Sequence, residues 1–142
     1  MSFPNARKGI NQYSQVGTSS GVESASPHRL IQLLMEGALD KLAAAKGFVE
    51  RGDIAEKGRF IFWAISIIGG LRGSLDMDKG GEISQNLYSL YDYMERRLVE
   101  ANRNDDIAMI DEVIDLLREV KVGWDEVPMA LRGGSTQAAH GE

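Results

Sequence analysis

The side chains that could do chemistry in this chain are few and scattered. His28 and His140 are its two histidines, and they stand far apart. The sequence contains no cysteine, so these imidazoles have no thiolate to complete a metal site. A di-metal carboxylate bundle would need a glutamate three residues before each histidine ligand, and neither histidine has one. Ser74 and Ser84 lack a base at a spacing that would activate a hydroxyl. Gly80-Gly81 is not followed by the Lys-Ser/Thr pair of a phosphate-binding loop. Asp111, Glu112 and Asp115 alternate with apolar residues and read as a solvated helix face. His28 falls in the first turn of a helix beside Arg29, where a cation is disfavoured, and reads as a surface residue. These residues make no case for an enzyme, a cofactor or a metal, so function is expected to lie in binding.

Bulk properties narrow the partner. The 142 residues suit one domain, with 43% hydrophobic and 26% charged residues in an ordinary globular balance. A formal net charge of -5 argues against nucleic acid, and Arg96-Arg97 is a lone basic pair among Asp92, Glu95 and Glu100. The first ten residues have no apolar run of the kind a secretory signal carries. The most apolar stretch, Phe60 to Leu71, is too short to span a bilayer and is followed by Arg72. A soluble cytoplasmic protein without membrane insertion is the expectation, consistent with the lack of cysteine.

Periodicity then supplies the elements. Residues 1–25 are polar and loop-like, but Ile10 and Tyr13 stand three apart and would share one face of a helical turn. Ser26-Pro27 marks a helix start, since serine caps a free N–H and proline suits the first helical position. Leu30, Ile31, Leu34, Ala38, Leu42, Ala45 and Val49 follow at helical spacing, and Gly52 ends the run. Asp53 with Glu56 resembles a capping box and opens a second helix, which is expected to reach about Leu75. Asp78-Lys79-Gly80-Gly81 breaks the chain. A third helix is expected over about 82–102, with Ile83, Leu87, Leu90, Tyr91, Met94 and Leu98 on one stripe. Asn104 or Asp105 is placed to cap a fourth, which carries Ile107, Ile110, Val113, Ile114, Leu117, Val120 and Trp124 before Pro128 stops it. The expected architecture is all-α: an antiparallel up-down-up-down four-helix bundle over 26–128, preceded by a short arm or helix over 1–25 and followed by a frayed tail over 129–142.

The second helix has more apolar surface than such a bundle requires. Phe60, Ile61, Phe62, Trp63, Ala64, Ile65, Ile67, Ile68 and Leu71 cover far more than the roughly 100° stripe of a core-facing helix. Either this helix is the most buried of the four, or its surplus lines a surface groove that receives a partner's apolar face. Gly69, Gly70 and Gly73 each cost about 0.5–1 kcal/mol within a helix. Close backbone approach, a pliable helix or plain tolerance would each account for them. Ile10 and Tyr13 either fold back over a cleft or pack permanently as a strut.

Two runs stand out first: Ser26-Pro27-His28-Arg29-Leu30-Ile31-Gln32-Leu33-Leu34 with Glu36-Gly37-Ala38, and Ala64-Ile65-Ser66-Ile67-Ile68 with Leu71-Arg72 and Ser74-Leu75-Asp76. Lys79-Gly80-Gly81-Glu82-Ile83, Asn86-Leu87, Leu90-Tyr91-Asp92-Tyr93-Met94, Arg96-Arg97-Leu98 and Ala101-Asn102 form the most specific set, and Trp124 falls near the end of the last helix. Together these runs resemble the FliS family of flagellar secretion chaperones; Met35 replaces a frequent aromatic residue, and Phe62-Trp63 is bulkier than the family pattern. The resemblance implies a cytosolic export chaperone that binds the disordered C-terminal segment of flagellin, prevents premature polymerisation and supports type III export. It implies a flagellin-binding groove, to which we assign Phe60, Trp63, Ala64, Ile67, Ile68, Leu71, Leu87, Leu90 and Tyr91. It also implies that Ile10 and Tyr13 cover that groove. Other flagellar export or regulatory proteins fit as further partners, and so does a homodimer. The competing reading is a structural or regulatory bundle, without catalysis, that self-associates through its second helix.

Overall fold

The structure, a computed structural model, describes residues 25–127. The arm with Ile10 and Tyr13, the stop at Pro128, the tail and His140 lie outside the described residues. Within them the chain forms four helices: α1 (Pro27–Arg51), α2 (Ile54–Gly73), α3 (Gly81–Asn104) and α4 (Ile107–Asp125). Each helix packs on two others, in the cyclic order α1–α2–α3–α4 and back to α1. This is the all-α antiparallel bundle that four amphipathic stripes and short connections require.

Local chemistry sets the helix ends. Ser26 Oγ accepts from the Arg29 N–H at 3.1 Å, with Pro27 in the first helical position. Gly52 closes α1 in the left-handed region (φ 71), where a side chain would be strained. Asp53 caps α2 by accepting from the Glu56 N–H at 3.2 Å. The reciprocal half of the capping box is absent, because the Glu56 carboxylate turns to Arg59 at 2.8 Å. Helix α2 stops at Gly73, short of Leu75, and Ser74 Oγ donates to the Leu71 carbonyl at 2.8 Å. The cap of α4 is Asp106, which accepts from the Met109 N–H at 3.2 Å. Asn104 and Asp105 were the expected caps. Asn104 instead extends α3, and Asp105 occupies the left-handed position that terminates it (φ 52).

One core runs the length of the bundle. Leu34, Leu42, Ile61, Ile68, Met94, Leu98, Ile110 and Leu117 are among its fully buried side chains. Fully burying an aliphatic side chain of this size is worth roughly 1.5–3 kcal/mol relative to exposure. Polar ties connect neighbouring helices at the rim. Arg72 meets Glu95 at 2.7 Å between α2 and α3, and Arg97 meets Glu112 at 2.7 Å between α3 and α4. Lys46 meets Asp111 at 2.6 Å between α1 and α4. The hydrogen bond that Arg72 donates to Glu95 holds its guanidinium above its ordinary range. Lys57, buried on α2, donates to the Asn102 carbonyl at 2.8 Å and to the Asp105 carboxylate, fixing the α3–α4 turn.

The α2–α3 turn has an exact requirement at Gly80. A Cβ there would lie 1.7 Å from Ser84 Oγ, 2.7 Å from Ser84 Cβ and 2.9 Å from the Asp76 carbonyl oxygen. Gly80→Ala should therefore destabilise the fold by about 1–3 kcal/mol in urea denaturation. Adding Ser84→Ala should recover only part of that loss, because the Asp76 carbonyl remains in the way.

Candidate functional site

Antiparallel packing brings together the starts of α1 and α3 and the ends of α2 and α4. Between them lies an open, mainly apolar cleft of about 790 Å³. Pro27, Leu30, Ile31 and Met35 line it from α1, and Leu71 comes from α2. Ile83, Leu87 and Tyr91 come from α3, and Val120, Gly123 and Trp124 from α4. Ser74, Asp76, Ser84 and Glu119 supply the sparse polar groups. An apolar concavity with a few polar edges suits an apolar guest. Among the described residues no cluster of His, Asp or Glu is arranged to hold a metal ion. None of the described helices is long and apolar enough to cross a membrane.

His28 is not the surface residue its position suggests. It is 3% exposed and stacks on Trp124 with ring centroids 4.7 Å apart and planes 14° from parallel. The indole Nε1–H donates to the His28 carbonyl at 3.0 Å. That stack locks the end of α4 onto the beginning of α1. Nearby, Gln32 Nε2 donates to Asp125 Oδ1 at 2.6 Å, which reinforces the same junction. The hydrogen bond from Lys121 holds the Asp125 carboxyl below its usual value.

The nine residues assigned to a groove do not share one surface. Leu71, Leu87 and Tyr91 meet at the cleft. Ala64 and Ile68 have no exposed area and belong to the interior of the bundle, and Ile67 is buried with them. The reason is topological: α2 packs on both α1 and α3, so two of its faces are consumed internally. Leu90 is partly buried against the core, outside the cleft lining. Phe60 and Trp63 form a separate face with Phe48 of α1. Phe48 and Phe60 have centroids 5.1 Å apart, and Phe60 and Trp63 5.6 Å. The surplus of α2 thus goes both ways. Most of it is enclosed, while Phe62 at 49% and Trp63 at 39% remain exposed. Ile31, Met35, Val120 and Trp124 complete the cleft, although stripe analysis marked them only as core or family positions. Their convergence becomes visible once helix order and direction are fixed.

The fold and site define a four-helix bundle whose core opens at one end into an apolar cleft. Residues 9–130 match the family profile described as flagellar protein FliS. The chain is 55% identical over 122 residues to the flagellar secretion chaperone FliSB of Pseudomonas aeruginosa, covering 86% of this chain and 97% of that protein. It is 48% identical over 120 residues to the flagellar secretion chaperone FliS of Salmonella typhimurium, covering 84% and 89%. The FliS of Bacillus subtilis is 31% identical over 122 residues, covering 86% and 90%. The chain belongs to the FliS family of flagellar secretion chaperones.

Tyr91 offers a probe of the cleft wall. Burial pushes its phenol pKa up to about 12, above the usual value near 10. A folded-state pKa raised in this way adds stability that is complete below about pH 10 and lost as pH rises toward 12. Tyr91→Phe should remove this part of the alkaline loss, flattening the urea midpoint between about pH 9.5 and 11.5 relative to wild type.

Proposed function

We propose that this chain is a cytosolic export chaperone that holds the C-terminal segment of flagellin, using the apolar cleft as the seat of the guest's apolar side chains. The observation that carries the reading is the cleft of about 790 Å³, left open between helix ends in a chain of this family. A disordered segment loses conformational entropy when it folds onto a surface, and only a large apolar contact offsets that loss. Ile31, Ile83, Leu87, Val120 and Trp124 present such a contact over a floor of buried Met35, Leu71 and Tyr91, with few polar groups to desolvate. Holding the segment keeps it from polymerising before export. Binding needs no bond making or breaking, and release follows from handover to the flagellar type III apparatus.

Ile10 and Tyr13 fit the same scheme as a cover. The chain enters α1 at Pro27, which itself lines the cleft. The residues between Tyr13 and Pro27 are more than enough to return an apolar pair to the cleft, since an extended chain spans about 3.3 Å per residue. A cover of this kind shields apolar surface until the guest displaces it.

A peptide from the C-terminus of the cognate flagellin should bind one-to-one with a Kd of about 10 μM or tighter and gain helix content. Calorimetry with circular dichroism tests this, and absence of binding at several tens of micromolar would count decisively against the reading. Tyr13→Ala removes part of a competitor for the cleft. It should tighten guest binding about two- to tenfold while leaving the melting temperature nearly unchanged. A collapse in melting with unchanged affinity per folded molecule would make Tyr13 a strut.

A further inference from the structure

The aromatic face at the opposite end of the α1–α2 pair has a different chemistry from the cleft. Phe48, Phe60 and Trp63 pack there with neighbouring rings tilted 43–44° to one another, and three cations lie over them. Lys41 Nζ is 4.2 Å from the Trp63 ring centre, the Arg51 guanidinium 4.8 Å from that of Phe48, and the Arg59 guanidinium 4.7 Å from that of Phe60. Arg59 also meets Glu56 at 2.8 Å, which neutralises that acid at the edge of the face. Lys41 and Arg51 have no carboxylate partner among the described residues. Lys79 and Arg118 also lack one, but of these only Lys41 and Arg51 lie over aromatic rings. Acids are in excess overall, yet among the described residues these two cations on the aromatic face are paired with none.

We propose that this face docks an acidic, amphipathic helical segment of a second protein, bound at the same time as a guest in the cleft. Charge complementarity selects the acidic partner, because the uncompensated Lys41 and Arg51 flank an apolar ridge and favour carboxylates on either side of an apolar stripe. Stacking on the rings holds the cations in place before the partner arrives, which reduces the ordering cost of association. Position permits simultaneous occupancy. The cleft is lined by the first third of α1 and the end of α2, from Pro27 to Met35 and from Leu71 onward. The aromatic face uses Lys41 to Arg51 and Arg59 to Trp63. The two surfaces share none of these side chains.

The test uses the full chain and two labelled synthetic helical peptides of about 18 residues, a length of about 27 Å. Both carry Leu and Phe at i, i+3, i+4 and i+7. One is flanked by Glu and the other by Lys at the same positions. In fluorescence anisotropy the acidic peptide should bind saturably, weaken as salt is raised from about 0.05 to 0.3 M, and outbind its basic twin. The double variant Lys41→Glu/Arg51→Glu should weaken the acidic peptide about tenfold or more and admit the basic one. Circular dichroism of the variant checks that these surface changes leave the fold intact. A flagellin C-terminal peptide at saturation should leave the acidic peptide's affinity within about twofold. Equal binding of both peptides, binding of neither, or a charge swap without exchanged preference overturns the proposal. So does displacement by the flagellin peptide, which would make this face part of the guest's own path. Tighter binding of a single-stranded oligonucleotide would assign the face to nucleic acid. A change in self-association of the double variant by sedimentation equilibrium would assign it to a second copy. Failure of flagellin binding alone would leave the peptide comparison intact, so the two readings stand or fall separately.

Discussion

Helix α2 has to satisfy two neighbours at once. It packs on both α1 and α3, and Ile61, Ala64, Ile67, Ile68 and Leu71 are all buried along it. A helix with a single contact could present one narrow stripe to the core and polar residues elsewhere. The double contact requires a broad apolar surface, and its edges spill into solvent as Phe62 and Trp63. The same helix ends at Gly73, before the bundle core is sealed, so Leu71 forms cleft wall as well as interior. Both candidate interaction surfaces therefore grow from one packing requirement.

The ends of the bundle are treated differently. At the end where α2 begins, buried Lys57 reaches the Asn102 carbonyl and Asp105 and closes the gap with charge and hydrogen bonds. At the other end, the His28–Trp124 stack and the indole bond to the His28 carbonyl fasten α1 to α4 without filling the space beside them. A cleft bounded by such a junction keeps its walls in register. A guest seated there would meet apolar surface that is already positioned, and the ordering cost would fall mainly on the guest.

Much of the bundle was legible in the sequence because its signals are local. Ser26-Pro27, Gly52, Asp53 and the break around Gly80-Gly81 each act within a few residues, and the structure places helix boundaries at or beside them. The α4 cap was misplaced because Asn104, Asp105 and Asp106 are chemically similar candidates. Only the left-handed conformation of Asp105 decides among them. The site was harder to read for a different reason. Burial of Ala64 and Ile68 depends on which helices flank α2, and composition within α2 carries no such information. His28 shows the same limit in reverse. Its helical position suggests exposure, but Trp124, 96 residues later, covers it.

An even number of antiparallel helices has a further topological effect. Pro27 begins α1 and Trp124 lies near the end of α4, and both stand on the border of the cleft. The chain thus enters and leaves the bundle at one pole. Among the described residues the opposite pole carries the connections at Gly52–Asp53 and Asp105–Asp106. A fluorophore carried at Ser26 or Glu126 stands beside the cleft, whereas one grafted into the distal turns leaves its entrance clear. Surface immobilisation through those turns presents the cleft outward.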